Sequence, residues 1–214
     1  LRRQRQMCIR DRIGRVLEAE RMPISAIVRQ WNYIEKITEY DEGGHQHYQD
    51  FNEARSLFYG RGEWKNGYPA ATGIGTQWGG VLIDMDVLLC RDGTVQVAGV
   101  DNPLQVAAHA YSQKVLAGQA GPERKTTPKF ERAKAVWKGN HGLVYISGTA
   151  AIRGEQSLEG VGVEEQTSAT LENIEYLVSA ENLRRAGIPV TRDAELINAV
   201  SYTHLRAHET PEHL

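Results

Sequence analysis

The chain has 214 residues, 25 basic against 27 acidic side chains, and a net charge of −2. That length suits one ordinary domain or two small ones, and no apolar run reaches the ~18 residues of a membrane span. The near-neutral balance leaves no electrostatic footprint for nucleic acid, and two cysteines, Cys8 and Cys90, make no disulfide framework. No nucleic-acid or membrane partner is therefore expected. With no signal-peptide pattern at the start, the compartment expected is the reducing cytoplasm.

The two ends read as translated adapter DNA. Met7-Cys-Ile-Arg-Asp11 and Val200-Ser-Tyr-Thr-His204 are encoded by opposite strands of one DNA word, ATG TGT ATA AGA GAC. Residues 1–12 and 200–214 are accordingly set aside from fold reasoning and expected to be disordered and to pack on nothing. The segment that carries the fold is then about Ile13–Ala199, from a gene cut at both ends.

Within it, Ile13, Val16 and Leu17 mark the end of an amphipathic helix, which Pro23 stops because proline cannot continue one. Ile24–Ile37 is rich in β-branched and aromatic residues and predicts a strand. Tyr48, Phe51, Arg55, Phe58 and Tyr59 recur at helical spacing, with Gly60 as the cap. A glycine-bearing loop leads to Val81–Leu89, whose alternation predicts a second strand. Asp92-Gly93 predicts a turn, Thr94–Val100 a short strand, and residues 103–128 an irregular loop on the substrate side. Gly142–Ala151 predicts another strand, and Val163–Ala186 one long helix that Gly187-Ile-Pro189 ends. Strand–helix alternation favours a layered α/β fold. Val16-Leu-Glu-Ala-Glu20 and Leu177-Val-Ser-Ala-Glu181 hint at an internal repeat.

Several patterns carry less chemistry than they suggest. Gly73-Ile-Gly75-Thr-Gln-Trp-Gly79 has the wrong last spacing for a dinucleotide fingerprint and precedes a strand. His45-Gln-His47 lacks a third ligand nearby, so no metal is expected. Cys90 reads as an inert strand-end residue. Neither a nucleophile elbow nor a Ser-His-Asp order is found.

Tyr145-Ile-Ser-Gly-Thr149 followed by Glu165-Gln-Thr-Ser-Ala-Thr-Leu-Glu-Asn-Ile174 resembles the Rid (reactive intermediate deaminase) superfamily. Pro69-Ala-Ala-Thr72 and Ile83-Asp-Met-Asp-Val87 resemble the second half of the same unit. Arg29-Gln-Trp-Asn-Tyr-Ile34, Tyr48-Gln-Asp-Phe-Asn-Glu-Ala-Arg55, Tyr68-Pro-Ala-Ala-Thr-Gly-Ile-Gly75 and Asn102-Pro-Leu-Gln105 with Tyr111-Ser112 resemble the chorismatase-like branch, which carries two such units in tandem. The resemblance implies a chorismate-mutase-like α/β sandwich: a mixed sheet with helices on one face. It places the second half of one unit at 13–90 and the first half of the next at 91–199. It also implies a homotrimer or pseudo-trimer of Rid-like units.

The activity implied is release of pyruvate from chorismate or a related enol-ether carboxylate, giving a hydroxylated cyclic or aromatic acid, with no cofactor. The partner implied is a small-molecule carboxylate substrate. Two alternatives stand beside it: an enamine or imine deaminase, and a non-catalytic binding or assembly module. Chorismate is a dianion, which arginine grips best by bidentate pairing. Arg29 is the leading carboxylate anchor, with Tyr111 and Arg55 as further substrate-binding candidates. Ala71 stands where Rid enzymes carry their carboxylate-binding arginine, which counts against the deaminase. Asp84 and Asp86, lacking an evident arginine partner, read as structural. The resemblance puts the catalytic acid after Pro189, so the chain itself is expected to be inactive.

Overall fold

The structure, a computed structural model, describes residues 2–114, 116, 125–195 and 197. Two three-stranded sheets and a short hairpin are found among them. Helix α1 (Arg2–Ala19) leads through a 3₁₀ turn into β1 (Ile27–Glu35); α2 (His47–Tyr59), β2 (Ala70–Thr76) and β3 (Val81–Val87) follow. β1 is the central strand of the first sheet, parallel to β2 and antiparallel to β3. The second sheet is β4 (Gln96–Val100), β5 (Ala133–Lys138) and β6 (His141–Ile146), all antiparallel. The hairpin β7 (Ile152–Arg153) with β8 (Gln156–Ser157) precedes α3 (Val163–Val178) and α4 (Ala180–Arg185). This is the mixed α/β layering that the element order predicts.

The pleat of β1 decides where the core lies, because successive side chains alternate between faces. Val28, Gln30, Asn32 and Ile34 are buried, whereas Arg29, Trp31, Tyr33 and Glu35 are half-buried on the other face. Helix α2 covers the buried face, placing Tyr48 and Phe51 against Ile34 and Ile37. Phe58 and Tyr59, about two turns further on, pack with Leu17 and Ile27. In the second half, Leu177, Leu183 and Ile188 cover Val100, Ala133 and Ala135. Each large apolar side chain buried this way contributes about 1.5–3 kcal/mol.

The two sheets are spliced at one point. Ala70 bridges to Glu131 just before β5, the Gly148 amide donates to the Ala71 carbonyl at 3.2 Å, and the Ala71 amide donates to the Ser147 hydroxyl at 2.9 Å. Lys134, buried on β5, donates to the carbonyls of Asn66, Gly67 and Tyr68 at 2.5, 2.8 and 3.0 Å. Burial draws its ammonium pKa down to about 8. The neighbouring Glu131 carboxylate accepts from the Tyr68 amide at 2.8 Å. Gly67 has φ +77°, and a Cβ there would stand 2.6 Å from that carboxylate, so only glycine fits this turn.

Several expectations are corrected. Residues 2–12 lie within α1, where Arg10 is buried, donates to the Phe51 carbonyl at 3.0 Å and lies over the Phe51 ring. The adapter reading of residues 200–214 lies outside the described residues. β2 was expected as loop and β5 was not anticipated. The single helix 163–186 is two, because Ser179 breaks the chain direction and its hydroxyl accepts from the Asn182 amide at 3.2 Å, capping α4. Residues 117–124, the centre of the expected substrate-side loop, also lie outside the described residues.

Candidate active site

Between α2 and the strands β1 and β2 lies a small recess of about 10 Å³, lined by Asn32, Tyr48, Phe51, Arg55, Ala71, Thr72, Gly73 and Phe130. The helix supplies Tyr48, Phe51 and Arg55 because positions four apart share a helix face. The strands supply Asn32 from the buried face of β1 and the edge Ala71–Gly73 of β2. Phe130 closes the far side, held in place by Ala71 and Ala108.

Arg55 is the charged group of this pocket. It is 2% exposed, and its guanidinium donates to Asn52 Oδ1 at 2.6 Å rather than to a carboxylate. Its buried Nε has no hydrogen-bond partner. Its guanidinium carbon lies 5.3 Å from the Phe51 ring centre and 5.9 Å from that of Phe130. A buried cation that keeps an unspent donor costs several kcal/mol unless an anion completes it. Its positive charge also helps burial hold the Lys129 ammonium below its usual pKa, which marks the surroundings as electropositive.

Arg132 lies against Phe130 as well, 5.9 Å from the ring centre. It is 1% exposed. One of its terminal nitrogens donates to the Val106 carbonyl at 2.7 Å and to the Tyr111 hydroxyl at 2.5 Å, while Nε and the other terminal nitrogen have no partner. Two buried guanidiniums with unspent donors thus flank one phenyl ring.

Of the residues singled out in the sequence, the structure gathers Arg55 and Tyr111 around Phe130, with Tyr111 reached through Arg132. Arg29 does not join them. It projects from the other face of β1, where its Nε donates to Asp86 at 2.7 Å and a terminal nitrogen donates to Asp84 at 3.1 Å. Its guanidinium stacks over Trp31 at 4.3 Å. The arginine that Asp84 and Asp86 seemed to lack is Arg29, whose charge is already matched by two carboxylates. In this structure Arg29 is the ion-pair partner of Asp84 and Asp86, while its other terminal nitrogen is buried without a hydrogen-bond partner. Asp193, the first acidic residue after Pro189, accepts from the Ala180 amide at 2.8 Å and so serves the α3–α4 junction.

Sequence reasoning missed Arg132, Phe130, Asn32 and Thr72. The signal for Arg132 was available in Arg132-Ala-Lys-Ala135, where charged and small residues alternate as in a strand. Among the described residues no group of His, Cys, Asp and Glu is arranged to hold a metal ion, and no helix is long and apolar enough to cross a membrane.

Residues 8–87 match the family model described as Chorismatase FkbO/Hyg5-like, N-terminal. The chain is 29% identical over 197 residues to a 3-hydroxybenzoate synthase of Streptomyces hygroscopicus, covering 90% of this chain and 54% of that protein. It is 32% identical over 163 residues to a chorismatase of the same organism, covering 76% of this chain and 44% of that one. A crystal structure of a chorismatase superposes with a TM-score of 0.71 at 27% identity, over 88% of this chain and 53% of the other. The chain spans about half the length of the curated relatives it matches. The chain is thus similar to chorismatases, in its N-terminal segment by family model and along most of its length in sequence and fold.

Proposed function

We propose that the chain forms the N-terminal part of an enzyme that releases the enolpyruvyl group of chorismate as pyruvate and leaves a hydroxylated ring acid. The observation that carries this reading is Arg55: a fully buried guanidinium at a pocket, paired with an amide and keeping an unspent donor. A substrate carboxylate supplies the missing acceptor, and a charge-assisted bond in so dry a place is strong and directional.

The chemistry asked of such a site is proton transfer. A proton adds to the terminal methylene carbon of the enol ether, leaving the adjacent carbon an oxocarbenium centre. Addition of water there gives a hemiketal whose collapse breaks the bond to the ring oxygen. Pyruvate leaves and the ring keeps a hydroxyl, with one water consumed. Release with aromatisation instead gives a monohydroxybenzoate and consumes no water. Either course needs the substrate held still by its carboxylates, which is worth several kcal/mol of barrier when the geometry is right. Arg55 binds and orients; Phe51 and Phe130 exclude water from around the guanidinium. No redox step occurs, so the reading invokes no cofactor. The Rid-type unit organisation, with 13–90 and 91–199 as partial units, is part of the same proposal. Support comes from the sheets, which divide between β3 and β4.

The test is incubation of the protein with chorismate, with pyruvate followed by a coupled dehydrogenase and the ring product by chromatography. Pyruvate and a hydroxylated ring acid formed in equal amounts support the reading. A folded protein that forms no pyruvate overturns it.

A further inference from the structure

Lys134 is 2% exposed, and its ammonium is the point on which three carbonyls of one turn converge. Nζ donates to Asn66 at 2.5 Å, to Gly67 at 2.8 Å and to Tyr68 at 3.0 Å. An ammonium has three N–H donors and no acceptor, so donors and acceptors match one to one. The three carbonyls do not depend on it equally, because Asn66 also accepts from the Gly99 amide on β4 at 3.0 Å. The turn runs through Pro69 into β2, and the Glu131 amide donates to the Pro69 carbonyl at 3.2 Å.

Each element packed on this ammonium brings its own titratable or neutral neighbour. Glu131, just before β5, supplies the opposing negative charge. Its carboxylate accepts from the Tyr68 amide at 2.8 Å, and its side chain lies against Gly67 and Gly99, where a Cβ would meet it at 2.6 and 3.0 Å. On the turn itself, the Tyr68 phenol is held above its usual range by burial and by Glu131. On β6 the register partner of Lys134 is Tyr145, whose phenol is raised by burial and by Asp86. On β4 the register partner is Gly99, which carries no charge. Burial draws the Lys134 ammonium down to about 8, with Glu131 pulling the other way, so as the solution turns alkaline the lysine gives up its proton while both phenols keep theirs.

Loss of one proton breaks the match. A neutral amine keeps two N–H donors and gains a lone pair, and a lone pair turned toward a carbonyl oxygen repels it. Two of the three carbonyls are then served, and the one released is Asn66, which the Gly99 amide still satisfies. We propose that Lys134 is a proton-operated latch: its ammonium clamps the 66–68 turn to β5, and its neutral amine lets go of the Asn66 carbonyl and slackens the entry to β2. The latch opens locally and not by loosening the whole fold. An unfolded chain holds a lysine proton up to about pH 10.4, so from about pH 8 upward the unfolded state binds more protons than the folded one, and overall stability rises with pH across that window. The latch is independent of what the chain binds.

The experiment follows the Lys134 side chain, labelled with ¹³C at Cε, and the backbone carbonyls of Asn66, Gly67 and Tyr68 by NMR in the 214-residue chain, from about pH 6.5 to 10.5. Lys134 is expected to titrate with a midpoint of about 8. The Asn66 carbonyl should move with the same midpoint, and further than those of Gly67 and Tyr68. Glu131→Gln removes the opposing charge and should bring the Lys134 and Asn66 midpoints down together by roughly one pH unit. A Lys134 midpoint near the ~10.4 of a free lysine overturns the proposal. So does an Asn66 carbonyl that stays still while Lys134 titrates, or a folded Glu131→Gln in which the two midpoints part. If Glu131→Gln does not fold, the two wild-type titrations decide the latch on their own.

Discussion

The Ser147 hydroxyl accepts from the Ala71 amide at 2.9 Å and donates to the Glu131 carbonyl at 2.5 Å, so one side chain stands in for a missing rung between the two sheets. Ser147 is itself buried, and its own amide donates to the Arg132 carbonyl at 3.0 Å. The splice therefore ties the pocket edge at Ala71 to the strand that carries Arg132. Replacing Ser147 with alanine leaves a buried N–H and a buried C=O without partners, which costs about 1–3 kcal/mol. Urea denaturation of Ser147→Ala should show a midpoint lowered accordingly with an unchanged slope. An unchanged midpoint would mean that the sheets are held together elsewhere.

Asp86 contributes to the acid limb of stability through its pairing with Arg29. The hydrogen bonds from Arg29 hold its carboxyl below the usual carboxylate range, and a bond from Tyr145 adds to this. A folded-state pKa below the unfolded one means that the stabilisation is present above the ordinary value of about 3.9 and is lost as pH falls through the folded value. Thermal midpoints of the wild type should therefore fall as the solution is acidified below about pH 4. Asp86→Asn should start lower and fall less steeply. Parallel curves would show that the Arg29–Asp86 pair contributes nothing to folding.

The parts of the fold that were legible are those where side-chain period and burial coincide. Tyr48, Phe51, Arg55, Phe58 and Tyr59 fall at helical spacing and are all buried on α2, and Gly60 ends the helix as its sequence position suggests. β2 was hidden because Ala70-Ala-Thr-Gly-Ile-Gly-Thr76 carries almost no side-chain pattern. Its small residues answer to close packing: a Cβ at Gly75 would meet Ile37 at 2.9 Å. β5 was not anticipated because the charge of Lys134 interrupts its apolar positions, yet that side chain is buried with three backbone carbonyls as acceptors. Sequence likewise does not show what an arginine on a strand is paired with. Arg29 looked exceptional among apolar and aromatic neighbours, but the partners that neutralise it lie on β3, across a pairing that only the register reveals. Arg55 looked like an ordinary helix-surface charge until α2 was seen to turn it inward.

The measurement that bears most directly on the account is the KM for chorismate in two variants of the protein, Arg55→Met and Arg29→Met. A buried guanidinium that grips a substrate carboxylate is worth about 2–5 kcal/mol, so Arg55→Met should raise KM by about 30-fold or more. Arg29→Met, which breaks an internal ion pair on the other face of β1, should lower the thermal midpoint and leave KM within about twofold, below the ~1.4 kcal/mol that a tenfold change represents. An unchanged KM in Arg55→Met, with a large rise in Arg29→Met, would contradict the assignment and return the substrate to the opposite face of the sheet.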